Sequence, residues 1–245
     1  MKRKDEHALH SPFLFDFYRH TVQKREAISF PDIEALRSEL YRDTRVLLPS
    51  QMGAGSMQGN QGKRISEIAR TSLSPKKQNR FFAQVIQYLG CRTVLELGTS
   101  LGINAAYLAK SNPSGKVVTI EGNPEIGSIA QATFDKLKLS NVELIMGTLE
   151  EKLHQTVQKT GPLDFVFFDG NHREEATWRY VTTCLPHVHG NTLFVFHDIY
   201  WSKEMEQVWK RIISLPEVTA SVDMFHFGLV FFRPQLQKQH MVWKF

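Results

Sequence analysis

The spacing of apolar residues changes at Thr93 and divides the chain into a helical front and an alternating rear. Before that residue, apolar side chains recur at every third or fourth position, which is typical of amphipathic helices. The first helix is predicted over residues 10–23, where a Ser-Pro pair provides the start signal. A second helix is predicted from Pro31, and helical spacing returns at Ile65.

From Thr93 onward, short apolar runs alternate with helical stretches around residues 103–110, 125–138, 149–159, 173–184 and 203–214. Runs that are buried on both faces and joined by helices predict an α/β fold with a doubly wound, mostly parallel, Rossmann-like sheet of seven strands. The predicted parallel strands are Thr93–Leu97, Lys116–Glu121, Val142–Met146, Leu163–Phe168 and Leu193–His197.

The last two apolar runs, Glu217–Val222 and Phe225–Arg233, are too close together for a crossover helix. They are predicted to form a hairpin at the sheet edge that contains one antiparallel strand. For the tail over residues 235–245, the sequence leaves open an added edge strand or docking on a neighbouring molecule.

Composition and charge narrow the function classes. Hydrophobic residues make up 42% of the 245 residues and charged residues 22%, so the chain can bury a core and disorder is excluded. No stretch approaches the roughly 18 apolar residues of a membrane span, and two isolated cysteines indicate free thiols in a reducing compartment. We therefore expect a soluble cytoplasmic protein. Residues 1–92 carry a net charge of +7, which a solvated helical surface explains more simply than an anionic partner.

Glycines and acidic residues lie at the ends of the first two strands of the rear. Glu96, Gly98 and Gly102 follow an acidic-x-Gly-x-x-x-Gly pattern that leads into a helix, and Glu121 ends the next strand. Glycines let backbone approach a ligand, and a carboxylate at the second strand end accepts hydrogen bonds from ribose hydroxyls. In an open parallel sheet, such strand ends are where ligands bind.

The fourth and fifth strands end in acids and histidines. Asp169 and His172 follow the fourth strand, and the pair His197-Asp198 follows the fifth. Carboxylates, imidazoles and divalent cations provide the activation that a hydroxyl nucleophile lacks at neutral pH. The same residue types also occur as ordinary loop ion pairs and helix caps.

This ordered set of motifs resembles the class I S-adenosylmethionine (SAM)-dependent methyltransferases over about residues 64–233. The resemblance implies a methyltransferase domain over residues 64–245. The region before it, residues 1–63, is predicted from its own pattern to be a helical extension with a glycine-rich loop around residues 52–62, which is either a lid or a disordered segment. The resemblance also implies a set of cofactor-binding residues: Glu96, Gly98, Thr99, Ser100, Gly102, Glu121, Thr148, Leu149 and Asp169.

Within that superfamily, the ends of the fourth and fifth strands resemble the metal-dependent small-molecule O-methyltransferases of the catechol and caffeoyl-coenzyme A type. The resemblance implies a Mg²⁺ ion held by Asp169 and Asp198, with His172 as the general base of the catalytic set. Oxygen-only ligation by two carboxylates favours Mg²⁺ over zinc. The chain has Ile199 where the catechol pattern has asparagine. The implied reaction is methyl transfer to a hydroxyl of a small-molecule acceptor.

Two alternatives remain at this stage. One is an RNA or protein methyltransferase that uses the basic front, although the chain lacks the Asn/Asp-Pro-Pro-aromatic motif of base-methylating enzymes, which argues against nucleic acid. The other is a non-catalytic module that keeps the cofactor fold. The aromatic residues Phe13, Phe17 and Tyr18 either pack on the chain's own core, which is favoured, or contact a partner such as the second copy in a homodimer.

Overall fold

The computed structural model describes residues 11–23, 28–47 and 62–245. The predicted lid loop lies outside the described residues except for its last position, Gly62. Within these ranges, no helix combines the length and the apolar composition that crossing a membrane requires.

The main sheet has eight strands in the order β10-β8-β9-β7-β6-β3-β4-β5, and a separate two-stranded ribbon pairs β1 with β2. The strands are β1 Val46–Leu47, β2 Lys63–Arg64, β3 Thr93–Leu97, β4 Lys116–Glu121, β5 Val142–Met146, β6 Phe165–Phe168, β7 Leu193–His197, β8 Ala220–Asp223, β9 Phe227–Phe231 and β10 Gln239–Val242.

Helices precede the main sheet and connect its consecutive parallel strands. The helices are α1 Pro12–Tyr18, α2 Pro31–Leu40, α3 Ile65–Ser72, α4 Lys76–Leu89, α5 Ile103–Lys110, α6 Pro124–Lys136, α7 Leu149–Thr160, α8 Glu174–Cys184 and α9 Lys203–Ile213. The predicted α/β fold with a mostly parallel Rossmann-like sheet is confirmed.

The predicted strand number and edge are wrong. The sheet has eight strands because β10 pairs in parallel with β8 and forms the edge. The antiparallel strand β9 lies inside the sheet, between β7 and β8, and pairs antiparallel with both. The tail therefore provides the edge strand that the sequence left open.

By compactness the chain divides into two units. One contains α1, the start of β3 and His154–Phe245. The other contains α2–α4 and Glu96–Leu153. The division at residue 63 that the sequence predicts remains a prediction.

In the first unit, aromatic side chains join α1 to the C-terminal strands. The Phe17 ring centroid lies 5.3 Å from that of Phe231 and 6.2 Å from that of Trp243. Phe17 is fully buried, so packing of these aromatics on the chain's own core is what the structure shows. Parallel pairing of β6 with β7 stacks Phe168 on Phe196 at 4.4 Å.

Candidate active site

The turn after β3 has the backbone that its glycines predict. Gly98 and Gly102 have φ angles of 100° and 82°, and Ser100 between them is also left-handed at 51°. A side chain at Gly102 would also collide with α6, because a Cβ there would lie 2.8 Å from the ring of Phe134. This turn delivers the chain to the N-terminus of α5, where backbone N–H groups face outward from the helix.

Glu121, at the end of β4, holds this turn from the side. Its Oε2 accepts a hydrogen bond from the backbone N–H of Ser100 at 2.9 Å, and its Oε1 accepts one from Asn123 at 2.9 Å. Burial raises the pKa of Glu121 above its ordinary value, against the opposing effect of these N–H donors. Each carboxylate oxygen can accept a second hydrogen bond, as two ribose hydroxyls would require.

Glu96 lies deeper than the sequence suggested. Its side chain is fully buried, and its two oxygens accept from Asn104 at 2.8 Å and from the Thr119 hydroxyl at 2.6 Å. The hydroxyl of buried Thr99 lies 2.5 Å from that of Thr119. Both predicted cofactor residues thus use their polar side chains inside the protein.

A buried polar chain continues from Glu96 toward α2, and the sequence analysis did not identify it. Asn104 accepts from Asn79 at 2.7 Å, and Asn79 accepts from the guanidinium of Arg37 at 2.6 Å. Arg37 also donates to the backbone carbonyl of Ser74 at 2.9 Å. The sequence did carry a signal for this chain, because polar residues stand at positions where the helical spacing predicts core residues.

The end of β5 presents the residues predicted near adenine. Gly147 is left-handed at a φ of 136°, and Thr148 and Leu149 are half-buried. The Thr148 hydroxyl accepts from the backbone N–H of Glu151 at 3.3 Å, as a cap at the start of α7. The Thr148 side chain therefore has a local structural role as well.

The ends of β6 and β7 bring together Asp169, His172, His197 and Asp198, which we call the His–Asp cluster. The Nε2 of His172 lies 3.4 Å from Asp169 Oδ1 and 3.7 Å from Asp198 Oδ2. The Nδ1 of His197 lies 3.2 Å and 3.4 Å from the same two oxygens. The sequence predicted the two aspartates and His172 as a set, but it assigned no role to His197.

The backbone around the cluster is unusual. Asn171, His172 and Asp198 have positive φ angles of 68°, 36° and 54°. Non-glycine residues adopt this region at a cost, and such residues concentrate at functional sites. The turn at Asp198 is fixed by its N–H, which donates to the carbonyl of His226 at 2.7 Å.

Electrostatics couple the four groups. Burial opposes ionisation of Asp169, but the positive charges of the nearby His197 and His172 outweigh it and hold the pKa of Asp169 well below its usual range. Burial likewise opposes the charge on His197, yet Asp169 and Asp198 raise its pKa to about 10. The pKa of His172 is raised mainly by Asp169, again against burial.

Exposed aromatic side chains lie beside the cluster. The Trp201 ring centroid is 6.4 Å from that of His172, and Trp201 is 73% exposed. Tyr200 donates to Asp223 and its ring lies 5.8 Å from that of Phe225, which is 66% exposed. These are apolar surfaces next to acid–base groups.

The mostly parallel sheet with its connecting helices matches the Rossmann-like methyltransferase fold. Residues 95–199 match the family model described as a methyltransferase domain, and they include the β3 turn, Glu121 and the whole cluster. The predicted resemblance is thereby confirmed.

Catechol O-methyltransferases are among the relatives. The chain is 32% identical to one from Niastella koreensis over 103 residues, covering 41% of this chain and 46% of that protein. It is 28% identical to one from Mycobacterium tuberculosis over 144 residues, covering 58% and 60%. The chain thus matches about half the length of these curated relatives.

A solved structure extends the similarity of the fold. The O-methyltransferase from Bacillus cereus in complex with SAH has a TM-score of 0.63 and 16% identity, and the match covers 88% of this chain and 96% of that one. At this identity the likeness concerns the fold.

Proposed function

We propose that the protein is a SAM-dependent O-methyltransferase that acts on a hydroxyl of a small molecule. The observation that carries the proposal is the His–Asp cluster, because it places four acid–base groups within contact distance inside a methyltransferase domain. The O-methyltransferase relatives support the same reaction class, and the SAH complex of the Bacillus cereus structure supports the cofactor.

The turn after β3 and the end of β4 fit the cofactor. In the proposal, Gly98, Ser100 and Gly102 let the backbone approach the amino-acid part of SAM, and Glu121 accepts hydrogen bonds from the ribose. Thr148 lies toward the adenine, together with Leu149. When bound, SAM supplies an electrophilic methyl group on a positively charged sulfur.

Glu96 and Thr99 are better described as positioning residues. Because the Glu96 carboxylate is fully buried and accepts from Asn104 and Thr119, it supports the turn from beneath. A buried carboxylate with satisfied oxygens makes the turn rigid. Rigidity matters, since methyl transfer depends on precise alignment of the reacting atoms.

The His–Asp cluster is proposed to bind the acceptor and to remove its hydroxyl proton. A phenol with a pKa of about 10 is mostly protonated at neutral pH and needs such help. His172 remains the proposed general base. Its raised pKa favours the imidazolium, so the base role requires that its Nε2 first gives up a proton. Asp169 stays ionised and holds the two imidazoles in place.

Trp201 and Tyr200 are proposed to line the acceptor site, since Trp201 exposes an apolar ring beside His172. The division into an N-terminal extension over residues 1–63 and a methyltransferase domain over residues 64–245 is part of the same proposal. A cytoplasmic location and a homodimer remain proposals without a structural observation behind them.

Transfer of a labelled methyl group from SAM to a panel of small hydroxyl compounds, including catechol, tests the proposal. We expect product with the wild-type chain and a loss of kcat/KM of about 100-fold or more in Asp169→Asn, typical of a lost acid–base group. Asp135→Asn, which changes an exposed carboxylate on α6, is the matched control and should keep full activity. SAH binding without any transfer across the panel would instead favour the non-catalytic module.

A further inference from the structure

The His–Asp cluster combines two imidazole nitrogens with two carboxylate oxygens. One atom from each of the four residues lies within 4.8 Å of all the others. Each imidazole approaches both carboxylates, so the four donors converge on one small volume. The sequence predicted an oxygen-only pair at this place, and the structure adds nitrogen ligands to it.

The nitrogen–oxygen separations within the cluster are close to those of ligands that share one ion. Nitrogen and oxygen ligands lie about 2.0–2.2 Å from zinc, which places tetrahedral neighbours about 3.3–3.6 Å apart. The nitrogen–oxygen separations in the cluster are 3.4, 3.7, 3.2 and 3.4 Å. These distances are also longer than the 2.7–2.9 Å of a good charge-assisted hydrogen bond.

The Nε2 atom of His172 is buried and makes no hydrogen bond of good geometry with any described residue. A buried polar atom without such a bond is destabilising. The backbone pays a further conformational cost, because Asn171, His172 and Asp198 are all left-handed. Both features are accounted for if the loops are shaped to present ligands to a metal ion.

We propose that the cluster binds a divalent first-row transition metal ion through His172, His197, Asp169 and Asp198. Mg²⁺, which the sequence resemblance implies, prefers an octahedral shell of oxygen ligands and water. Imidazole nitrogens favour Zn²⁺, Fe²⁺, Co²⁺ or Ni²⁺. The donor set therefore does not fit Mg²⁺ well, and the choice of metal class follows from the two histidines.

This inference deepens the proposed function, and the role that it gives to the metal rests on that function. When bound, the metal would lower the pKa of the acceptor hydroxyl, as such ions lower the pKa of bound water. It also changes the role of one residue. A His172 nitrogen that binds metal is a ligand, so His172 does not serve as the general base in the same molecule, and the proton of the acidified hydroxyl would pass to solvent water. The binding itself stands on the donor set alone.

Cobalt binding to the full chain, after treatment with a chelator, tests the metal class without an activity assay. We expect Co²⁺ to bind with one equivalent per chain and to give visible absorption bands. Zn²⁺ should displace it, whereas Mg²⁺ in large excess should not. The absence of cobalt bands, or displacement by Mg²⁺ as effective as that by Zn²⁺, would overturn the inference.

Two variants test the ligands. His172→Gln and His197→Gln should each weaken Co²⁺ binding by about tenfold or more and change the absorption bands. His189→Gln is the matched control, because His189 also contacts an aspartate, Asp164, at 3.0 Å but lies outside the cluster. Unchanged cobalt spectra in both cluster variants would refute the assignment. Circular dichroism shows whether the variants fold. If they do not fold, the preference of the wild-type chain for Co²⁺ and Zn²⁺ over Mg²⁺ tests the inference.

A parallel SAH titration separates this inference from the proposed function. SAH binding by a chain that binds no transition metal overturns the inference and leaves the methyltransferase proposal standing. Co²⁺ binding through the cluster without SAH binding supports the inference about the metal and contradicts the methyltransferase proposal.

Discussion

At the scale of single residues, the proposed role of Glu121 predicts that cofactor binding depends on pH. Its pKa lies above the ordinary 4.5 because burial disfavours the charged carboxylate. The ionised form is the one that accepts two ribose hydrogen bonds, so protonation removes part of the site. SAH affinity measured by calorimetry should therefore fall as the pH is lowered toward this raised pKa. Glu121→Gln has no charge to lose and should show a flatter profile, and an equally steep profile in that variant would contradict the role.

The residue scale also shows what the sequence could provide at the site. The spacing identified Asp169, His172 and Asp198 as neighbours because all three follow strand ends. It could not show that His197 shares the same carboxylates, since that contact depends on the left-handed backbone at Asp198. Nor could it show the full burial of Glu96, which results from packing against Asn104 and Thr119.

At the scale of elements, a comparison of substitutions at Gly102 and Gly90 distinguishes the cost of backbone strain from the cost of overpacking. Both are left-handed, with φ angles of 82° and 63°. A Cβ at Gly90 meets nothing within 4 Å, whereas at Gly102 it collides with Phe134 on α6. Gly90→Ala should lower the free energy of unfolding by about 1–2 kcal/mol, and Gly102→Ala by about 1–3 kcal/mol more from overpacking. Urea denaturation measures the free energy of unfolding of both variants. Equal decreases in the two variants would show that α6 moves aside without an energetic cost.

The edge strand β10 makes a second prediction about elements. Trp243 follows β10, is buried, and packs its ring 6.2 Å from Phe17 and 5.0 Å from Tyr18. Trp243→Ala should destabilise the chain by about 3–5 kcal/mol, as expected for a buried tryptophan. The exposed Trp201 provides the control, and Trp201→Ala should change stability by no more than about 0.5 kcal/mol. A small effect at Trp243 would mean that the tail contributes little to the core.

The elements differ in how well the sequence predicted them. Four strands, Thr93–Leu97, Lys116–Glu121, Val142–Met146 and Leu193–His197, have the predicted bounds. Three of them lie inside the sheet, where continuous apolar runs reflect burial on both faces. The fourth, Val142–Met146, forms an edge and is only partly buried. The edge strand β10 is only four residues long, and its two apolar residues, Met241 and Val242, are too few for periodicity to decide between an edge strand and docking on a neighbour.

At the scale of the whole molecule, the segment that matches the methyltransferase family model, residues 95–199, is less than half of the chain. The family match ends at residue 199, and α9 with the three C-terminal strands follows it. Helices α1–α4 precede it, and acceptor specificity is expected from segments of this kind, since one fold serves many substrates.

Calorimetric titration with SAH tests most directly whether the protein binds the SAM family of ligands through Glu121, as we propose. We predict binding near micromolar affinity, about −8 kcal/mol, and a loss of roughly tenfold to hundredfold in Glu121→Ala, typical of hydrogen bonds to a charged group. Glu143→Gln, which changes a half-exposed carboxylate on β5 that pairs with Lys116, should bind like the wild type. The absence of detectable binding heat up to millimolar SAH would contradict this prediction, because the glycine-containing turn after β3 would then have a structural role and no role in cofactor binding.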